Sequence, residues 1–241
     1  MFSSEENKVK LVATAGKFIV HENSGYSSDA EMFGYQGAVN WSTKRLGTQE
    51  PVDFTIATSY YDTYDVLGAA TVNNTGVSFL RTNTVRAGEF RMLDIYPEIQ
   101  FQVGKKPLTL WANSIVNLGN VGTDDDRALG NDIHDANDAW GLGFKLGKAK
   151  KKGEWEISYG YYEIGANAVL AAFNDSDFGG PGGNGFTNRK GHKLGLAYQL
   201  TNNLAINWTG IFVEPLNPST LVANSSNENV FRSQTDLSFK F

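Results

Sequence analysis

The chain contains no cysteine among its 241 residues. That excludes disulfide scaffolds, thiolate metal centres and cysteine nucleophiles. Proline is scarce, at six residues, and histidine scarcer, at three. No stretch approaches the ~20 consecutive apolar residues of a membrane-spanning helix, and mean hydropathy is -0.33. That argues against a helical membrane protein. A membrane β-barrel is not, because its lipid-facing residues alternate with polar ones. Positive charge is also in deficit: the formal net charge is -5, which argues against nucleic acid as a partner. The opening MFSSEENKVKL lacks the apolar core of a secretory leader and carries acids where a basic segment should lie. An exported protein would therefore have lost its leader, or the chain would be a piece of a longer one.

What the chain has in quantity is aromatic residues, set in strict alternation. Phe231, Ser233, Thr235, Leu237, Phe239 and Phe241 alternate with Arg232, Gln234, Asp236, Ser238 and Lys240. A period of two puts the first set on one face of a strand and the second on the other. A terminal aromatic strand with one apolar and one charged face fits the closing strand of an outer-membrane barrel. The pattern recurs. Trp140, Leu142, Phe144 and Leu146 alternate with Gly141, Gly143 and Lys145; Trp155, Ile157, Tyr159 and Tyr161 with Glu156, Ser158 and Gly160. Leu194, Leu196, Tyr198 and Leu200 alternate with Lys193, Gly195, Ala197 and Gln199; Leu204, Ile206 and Trp208 with Ala205, Asn207 and Thr209. One face is large and apolar, the other small or polar. Alternation alone does not say which points inward, since a soluble barrel puts its bulky face inside. The glycine-rich polar face fits a crowded, wet lumen better than a solvent face.

Ten strands are predicted, near 8–20, 32–46, 52–62, 88–103, 108–118, 139–148, 154–164, 189–200, 204–213 and 230–241. Short connections at 47–51, 104–107, 148–153 and 201–203 alternate with long ones near 21–31, 63–87, 119–138, 165–188 and 214–229. An up-and-down meander sends alternate connections to opposite ends. One end then has tight turns and the other long loops, the asymmetry of outer-membrane barrels. The expected fold is all-β, an antiparallel up-and-down transmembrane β-barrel of about ten strands or part of a larger one. It forms a single domain over 1–241. Trp140, Trp155, Trp208, Tyr159, Tyr198, Phe239 and Phe241 should face outward, gathering toward the two membrane interfaces.

The sites of other chemistries are weak. The basic turn Lys148, Lys150, Lys151 and Lys152 has no interleaved aromatics and reads as a solvated turn. The loop acids Asp124, Asp125, Asp126, Asp132, Asp135, Asp138, Asp175 and Asp177 offer oxygen ligands for a divalent cation, but DDDRALGNDIHDAND does not match the EF-hand spacing and reads as solvated loop. Gly179, Gly180, Gly182 and Gly183 lack the GK[ST] of a phosphate loop. No G-x-S-x-G accompanies His21, His134 or His192. No enzyme, cofactor or metal is therefore expected.

The segment LGKAKKKGEWEISYGYYEIGANAVLAAFNDSDFGGPGGNGFTNRKGHKLGLAYQLTNNLAINWTGIF resembles the C-terminal part of the proteobacterial putative porin family. The resemblance is good over 139–241 and extends back to about residue 88. It implies an outer-membrane β-barrel that passes small hydrophilic solutes. It also implies a longer chain, with a leader and further strands ahead of this region.

The expected function is passive diffusion of small hydrophilic solutes or ions through a pore in a Gram-negative outer membrane. Two alternatives stay open: a structural or adhesive barrel with a plugged lumen, and a soluble barrel that binds an apolar ligand. Partners would be outer-membrane lipid and the solutes themselves, with a homo-oligomer left open. Alternation assigns Asp94, Glu98, Gln100, Lys145, Glu156, Lys193 and Asn207 to the pore lining. Residues 166–173 favour a helical turn. That turn would fold into the lumen, or else cap the extracellular rim. In the first case Asp175 or Asp177 would oppose Lys193 or Arg189, and the field would favour one ion sign.

Overall fold

The structure, a computed structural model, describes residues 3–4, 7–22, 29–47, 50–64, 90–119, 136–179, 187–217 and 228–240. The acids 124, 125, 126, 132 and 135, glycines 180, 182 and 183, His134 and Phe241 lie outside them. A two-residue strand β1 (Ser3–Ser4) precedes ten long ones. They are β2 (Asn7–His21), β3 (Ala30–Lys44), β4 (Pro51–Tyr64), β5 (Arg91–Val103), β6 (Lys106–Asn117), β7 (Asp138–Gly147), β8 (Trp155–Ile164), β9 (Arg189–Gln199), β10 (Leu204–Pro215) and β11 (Val230–Phe239). Each expected strand is present, within a few residues at its ends. All lie in one antiparallel sheet whose spatial order is the chain order.

The tight turns follow from local chemistry. Between β5 and β6 only Gly104 and Lys105 intervene, and Gly104 has φ 61°. A positive φ at the first central residue is the requirement of a type II′ hairpin turn, which glycine meets without a Cβ clash. In the β7–β8 turn the Glu154 carboxylate accepts the backbone N–H groups of Lys150 (3.0 Å) and Lys151 (2.8 Å). The Lys151 and Lys150 amides hold that carboxyl below its ordinary range. Lys148, Lys150, Lys151 and Lys152 are exposed around it.

Register carries the two-faced pattern across the sheet. Val9, Trp41, Phe54, Ile99, Leu110, Phe144, Tyr159 and Leu194 face one another in successive ladders from β2 to β9. One residue along lies a polar row: Ser42, Asp53, Gln100, Thr109, Lys145, Ser158, Gly195, Thr209 and Gln234, from β3 to β11. The expected outward aromatics Trp140, Trp155, Trp208, Tyr159, Tyr198 and Phe239 all share the apolar face. That face is uncovered: Leu11 is 73% exposed and Leu237 69%. Rings gather at both ends of it. Trp41 stacks on Phe54 (4.7 Å), and Lys106 sits 4.0 Å over the Trp155 ring, near the short turns. Toward the long connections lie Trp140 and Tyr161, 5.4 Å apart. Beyond them the same face turns charged, with Lys17–Glu31 (2.6 Å) and Lys190–Glu214 (3.3 Å) pairs.

One expectation is corrected. The sheet is not closed into a barrel. Among the described residues β11 pairs with β10 and β2 with β1 and β3, and no ladder joins β2 to β11. Closure depends on strand stagger and tilt summed over the whole sheet. Alternation within each strand carries no information about that sum.

Among the described residues the buried core is small and lies on the polar side. One cluster is Ala30, Met32, Phe90, Met92 and Leu170; the other is Phe178, Ile211 and Val213. Both are completed by the segment that follows β8. On the same face Gly143 is tightly covered. A Cβ there would meet the Tyr159 carbonyl and lie 2.6 Å from the Trp111 ring, whereas one at Gly37 would meet nothing. Gly143→Ala should therefore lower stability by about 1–3 kcal/mol. Gly37→Ala should be neutral or stabilising by up to ~1 kcal/mol. Urea titration of the two variants checks this; equal midpoints would show that the Trp111 cover is loose.

Candidate functional site

The polar face carries all seven residues assigned to it by alternation. Asp94, Glu98 and Gln100 stand on β5, Lys145 on β7, Glu156 on β8, Lys193 on β9 and Asn207 on β10. They are spread over the face rather than gathered at one point. Asp94 lies toward the long connections, beside Phe173 and Asn174. Glu156 pairs with Gly147 and Ala197 at the short-turn end. Between them the face is knit by polar side chains. Gln36 donates to Ser59 (3.0 Å), Thr55 to Asn40 (2.8 Å), Tyr96 to Glu98 (2.7 Å) and Asn207 to Ser238 (3.0 Å). Pro97 has no N–H, and the β5–β6 ladder skips Tyr96 and Pro97. There Asn113 reaches across, donating to Asp94 and to the Ile95 carbonyl (3.3 Å). A polar side chain thus fills a gap that proline leaves in the ladder.

Residues 165–179 lie along this face. The expected helix is reduced to two 3-10 turns, Ala171–Phe173 and Ser176–Phe178. So short a run cannot offset helix nucleation by itself, and burial sets its path instead. The Asn167 N–H donates to the Ala136 carbonyl (2.9 Å), and Asn117 donates to the Asn167 carbonyl (2.8 Å). Leu170 is then buried against Met32 of β3 and Met92 of β5. Further on, Asp175 caps the second turn by accepting the Asp177 N–H (3.0 Å) and pairs with Lys193 (2.6 Å). Asp177 accepts from Gln234 (2.8 Å) and lies 3.8 Å from Arg232. The segment therefore runs from β3–β5 to β9–β11.

Its depth on the polar face is fixed by two contacts. Lys193 is the fifth of the 11 residues of β9, and Gln234 the fifth of the 10 of β11. Contacts at that height put the segment at mid-strand on β9 and β11. Apolar anchors hold it there. Burying Leu170 and Phe178 is worth about 1.5–3 kcal/mol each, whereas a half-exposed ion pair such as Asp175–Lys193 is worth about 0–1 kcal/mol. The charges orient what the apolar residues fix. Burial pushes the Asp175 carboxyl up, but the Lys193 ammonium and the Asp177 N–H outweigh it and hold it below the usual range.

Arg189 behaves differently. Its side chain is fully buried and donates to the Glu228 carbonyl (3.3 Å), at the first residue of β9. It does not face Asp175 or Asp177; Arg232 stands beside Asp177 instead. His192 lies on the apolar face, 2.7 Å from the Tyr159 hydroxyl. Among the described residues no group of three His, Cys, Asp or Glu is placed to hold a metal. Sequence reasoning also passed over Tyr96, Trp111 and Tyr162, which stand on the polar face. The available signal was parity: each falls at an alternate position otherwise filled by polar residues or glycine.

A family model described as a putative porin matches residues 83–211, more than half of the chain. The chain belongs to the putative porin family. The matched span of this porin-family chain holds β5 to β9, most of β10, and the segment on the polar face. No curated protein and no solved structure matches it.

The lowered Asp175 carboxyl has a consequence for stability. A depressed carboxylate stabilises the fold above the unfolded value, about 3.9. That contribution is lost as pH falls through the lower folded value. NMR titration should find Asp175 titrating below the ordinary aspartate range, and Lys193→Met should move it upward. An unmoved titration in Lys193→Met would mean the ion pair does not form in solution.

Proposed function

We propose that the chain builds the wall of a bacterial outer-membrane pore through which small hydrophilic solutes and ions diffuse passively. The observation that carries this is the division of the sheet. An uncovered apolar face and a polar, glycine-bearing face run in register across all ten long strands. The apolar span approaches the length of a transmembrane strand, about 9–11 tilted residues. Trp155 to Tyr161 on β8 and Phe33 to Trp41 on β3 cover roughly 20–26 Å along the strand. An outer-membrane barrel presents an apolar band of ~25 Å flanked by aromatic girdles. Family membership supports the same general role. The charge ring at the long-connection end, Lys17–Glu31 and Lys190–Glu214, suits the water side of that band.

The open edges set a condition on this reading. Unpaired N–H and C=O groups are costly in lipid. The edges of β2 and β11 must be joined in the membrane, to each other or through further strands of one wall. The lining is then Asp94, Glu98, Gln100, Lys145, Glu156, Lys193 and Asn207. Such groups bias ion passage and need no cofactor or catalytic step. Residues 165–179 narrow the lumen at mid-height and present Asp175 and Asp177 there. The same segment gives a second reading, a barrel plugged by it, whose function lies elsewhere on the molecule.

Planar-bilayer recording on the full chain separates the two. A pore gives stepwise conductance; a plugged barrel inserts without it. In a pore, Asp175→Asn with Asp177→Asn leaves Lys193 and Arg232 without their acidic neighbours. The reversal potential should move away from cations. An unchanged reversal potential in a folded double variant would dismiss the constriction. The wall itself is tested by charge placement. Leu142→Lys should cost about 2–4 kcal/mol in a lipid-embedded protein, and Ser158→Lys on the opposite face about 1 kcal/mol or less. Equal costs by urea unfolding in liposomes would remove the lipid assignment.

A further inference from the structure

Aromatic rings are rare on the polar face, and three of them adjoin. Trp111 lies between Tyr96, 6.5 Å away with 17° between planes, and Tyr162, 5.5 Å away at 33°. Glycines beneath them make this possible. A Cβ on Gly143 would lie 2.6 Å from the Trp111 ring, and one on Gly141 2.7 Å from the Tyr162 ring. The two rings thus rest against bare backbone and turn their other surfaces outward. All three are only partly buried. Phe178 closes one end of the row, edge-on to Tyr162 at 5.4 Å.

The row lines a polar hollow of about 400 Å³. Beside the rings stand Glu98, which accepts from the Tyr96 hydroxyl, and Lys145, with Ser158 between Lys145 and Gly195 in the ladder. The charges there do not add to one sign. Glu98 and Lys145 oppose one another, and Lys193 is engaged by Asp175. An anion would gain nothing from the electron-rich ring faces, and a cation drawn to them would meet the Lys145 ammonium beside them. A wholly apolar solute would strip water from the Glu98 carboxylate and the Lys145 ammonium, which is costly. The lining suits a neutral solute with flat apolar faces and a rim of hydroxyls.

We propose that Tyr96, Trp111 and Tyr162 form a track on which pyranose rings of a saccharide stack in succession, with Glu98 and Lys145 bonding their hydroxyls. The proposal rests on the pore reading for its route but not for its binding. Successive weak stacking places suit a conducting channel, which must bind well enough to enter and weakly enough to release.

Trp111 makes the test selective. Of the five tryptophans, Trp41, Trp140, Trp155 and Trp208 stand on the apolar face, and Trp111 alone on the polar one. The full chain would be recorded in planar bilayers with maltotriose or cellotriose added, against polyethylene glycol of equal hydrodynamic size. At least one saccharide should interrupt the current saturably where the polymer does not. Trp111→Ala should weaken that block about tenfold, with Trp111→Phe retaining most of it. Tyr96→Leu provides a second variant if Trp111→Ala does not fold. A conducting channel blocked no better by either saccharide than by the polymer would overturn the track and leave the pore reading intact. If the chain does not conduct, the pore reading falls, and iodide quenching in detergent decides the track. Saccharide protection of the fluorescence that Trp111→Phe removes would uphold it; no protection would overturn it.

Discussion

Everything in this molecule depends on backbone ladders that hold a period of two in register. Side chains on neighbouring strands share a face only if no ladder slips by one residue. A single slip would send Leu142 to the polar side and Lys145 to the apolar one, with every residue beyond them. From β2 to β11 the pairing keeps the faces apart. Where a ladder is interrupted, at Pro97, a neighbouring asparagine fills the gap. Among the described residues the one register shift, between Ile19 and His21 of β2, falls at the strand end.

That register decides where the energy lies. In a soluble β-domain the bulky face is enclosed and supplies most of the hydrophobic gain. Here the bulky face is uncovered, and the buried core amounts to two small clusters beneath one segment. Monomeric soluble proteins rarely leave contiguous apolar patches beyond a few hundred Å². The stability of this sheet is therefore linked to whatever covers its apolar face. The polar face is held by cross-strand hydrogen bonds and by aromatic rings laid over glycines.

The segment after β8 joins these two aspects. Its apolar residues Leu170 and Phe178 supply buried contacts that the polar face otherwise lacks, and its acids meet Lys193 and Arg232 across the remaining space. One short stretch thus contributes packing and places charge on the polar side. Had its anchors lain nearer the strand ends, the same residues would have capped the sheet.

The strands, their order, their faces and the alternation of short and long connections were legible in the sequence, because each is a local property. Period two fixes the faces, glycine and proline mark turns, and the placing of the seven residues on the polar face follows from parity alone. Tyr96, Trp111 and Tyr162 were legible by the same parity and were passed over because their types belong to the other face. Three features were not legible. Whether β2 meets β11 depends on tilt and stagger accumulated over ten strands. How deep residues 165–179 reach depends on where Leu170 and Phe178 find cover, in strands up to 140 positions away along the chain. That Arg232 rather than Arg189 accompanies Asp177 follows from that depth. The sequence by itself determined which residues share a face, since that needs only the geometry of one strand. Tertiary structure alone decided what meets across the face, since that needs the curvature of all of them together.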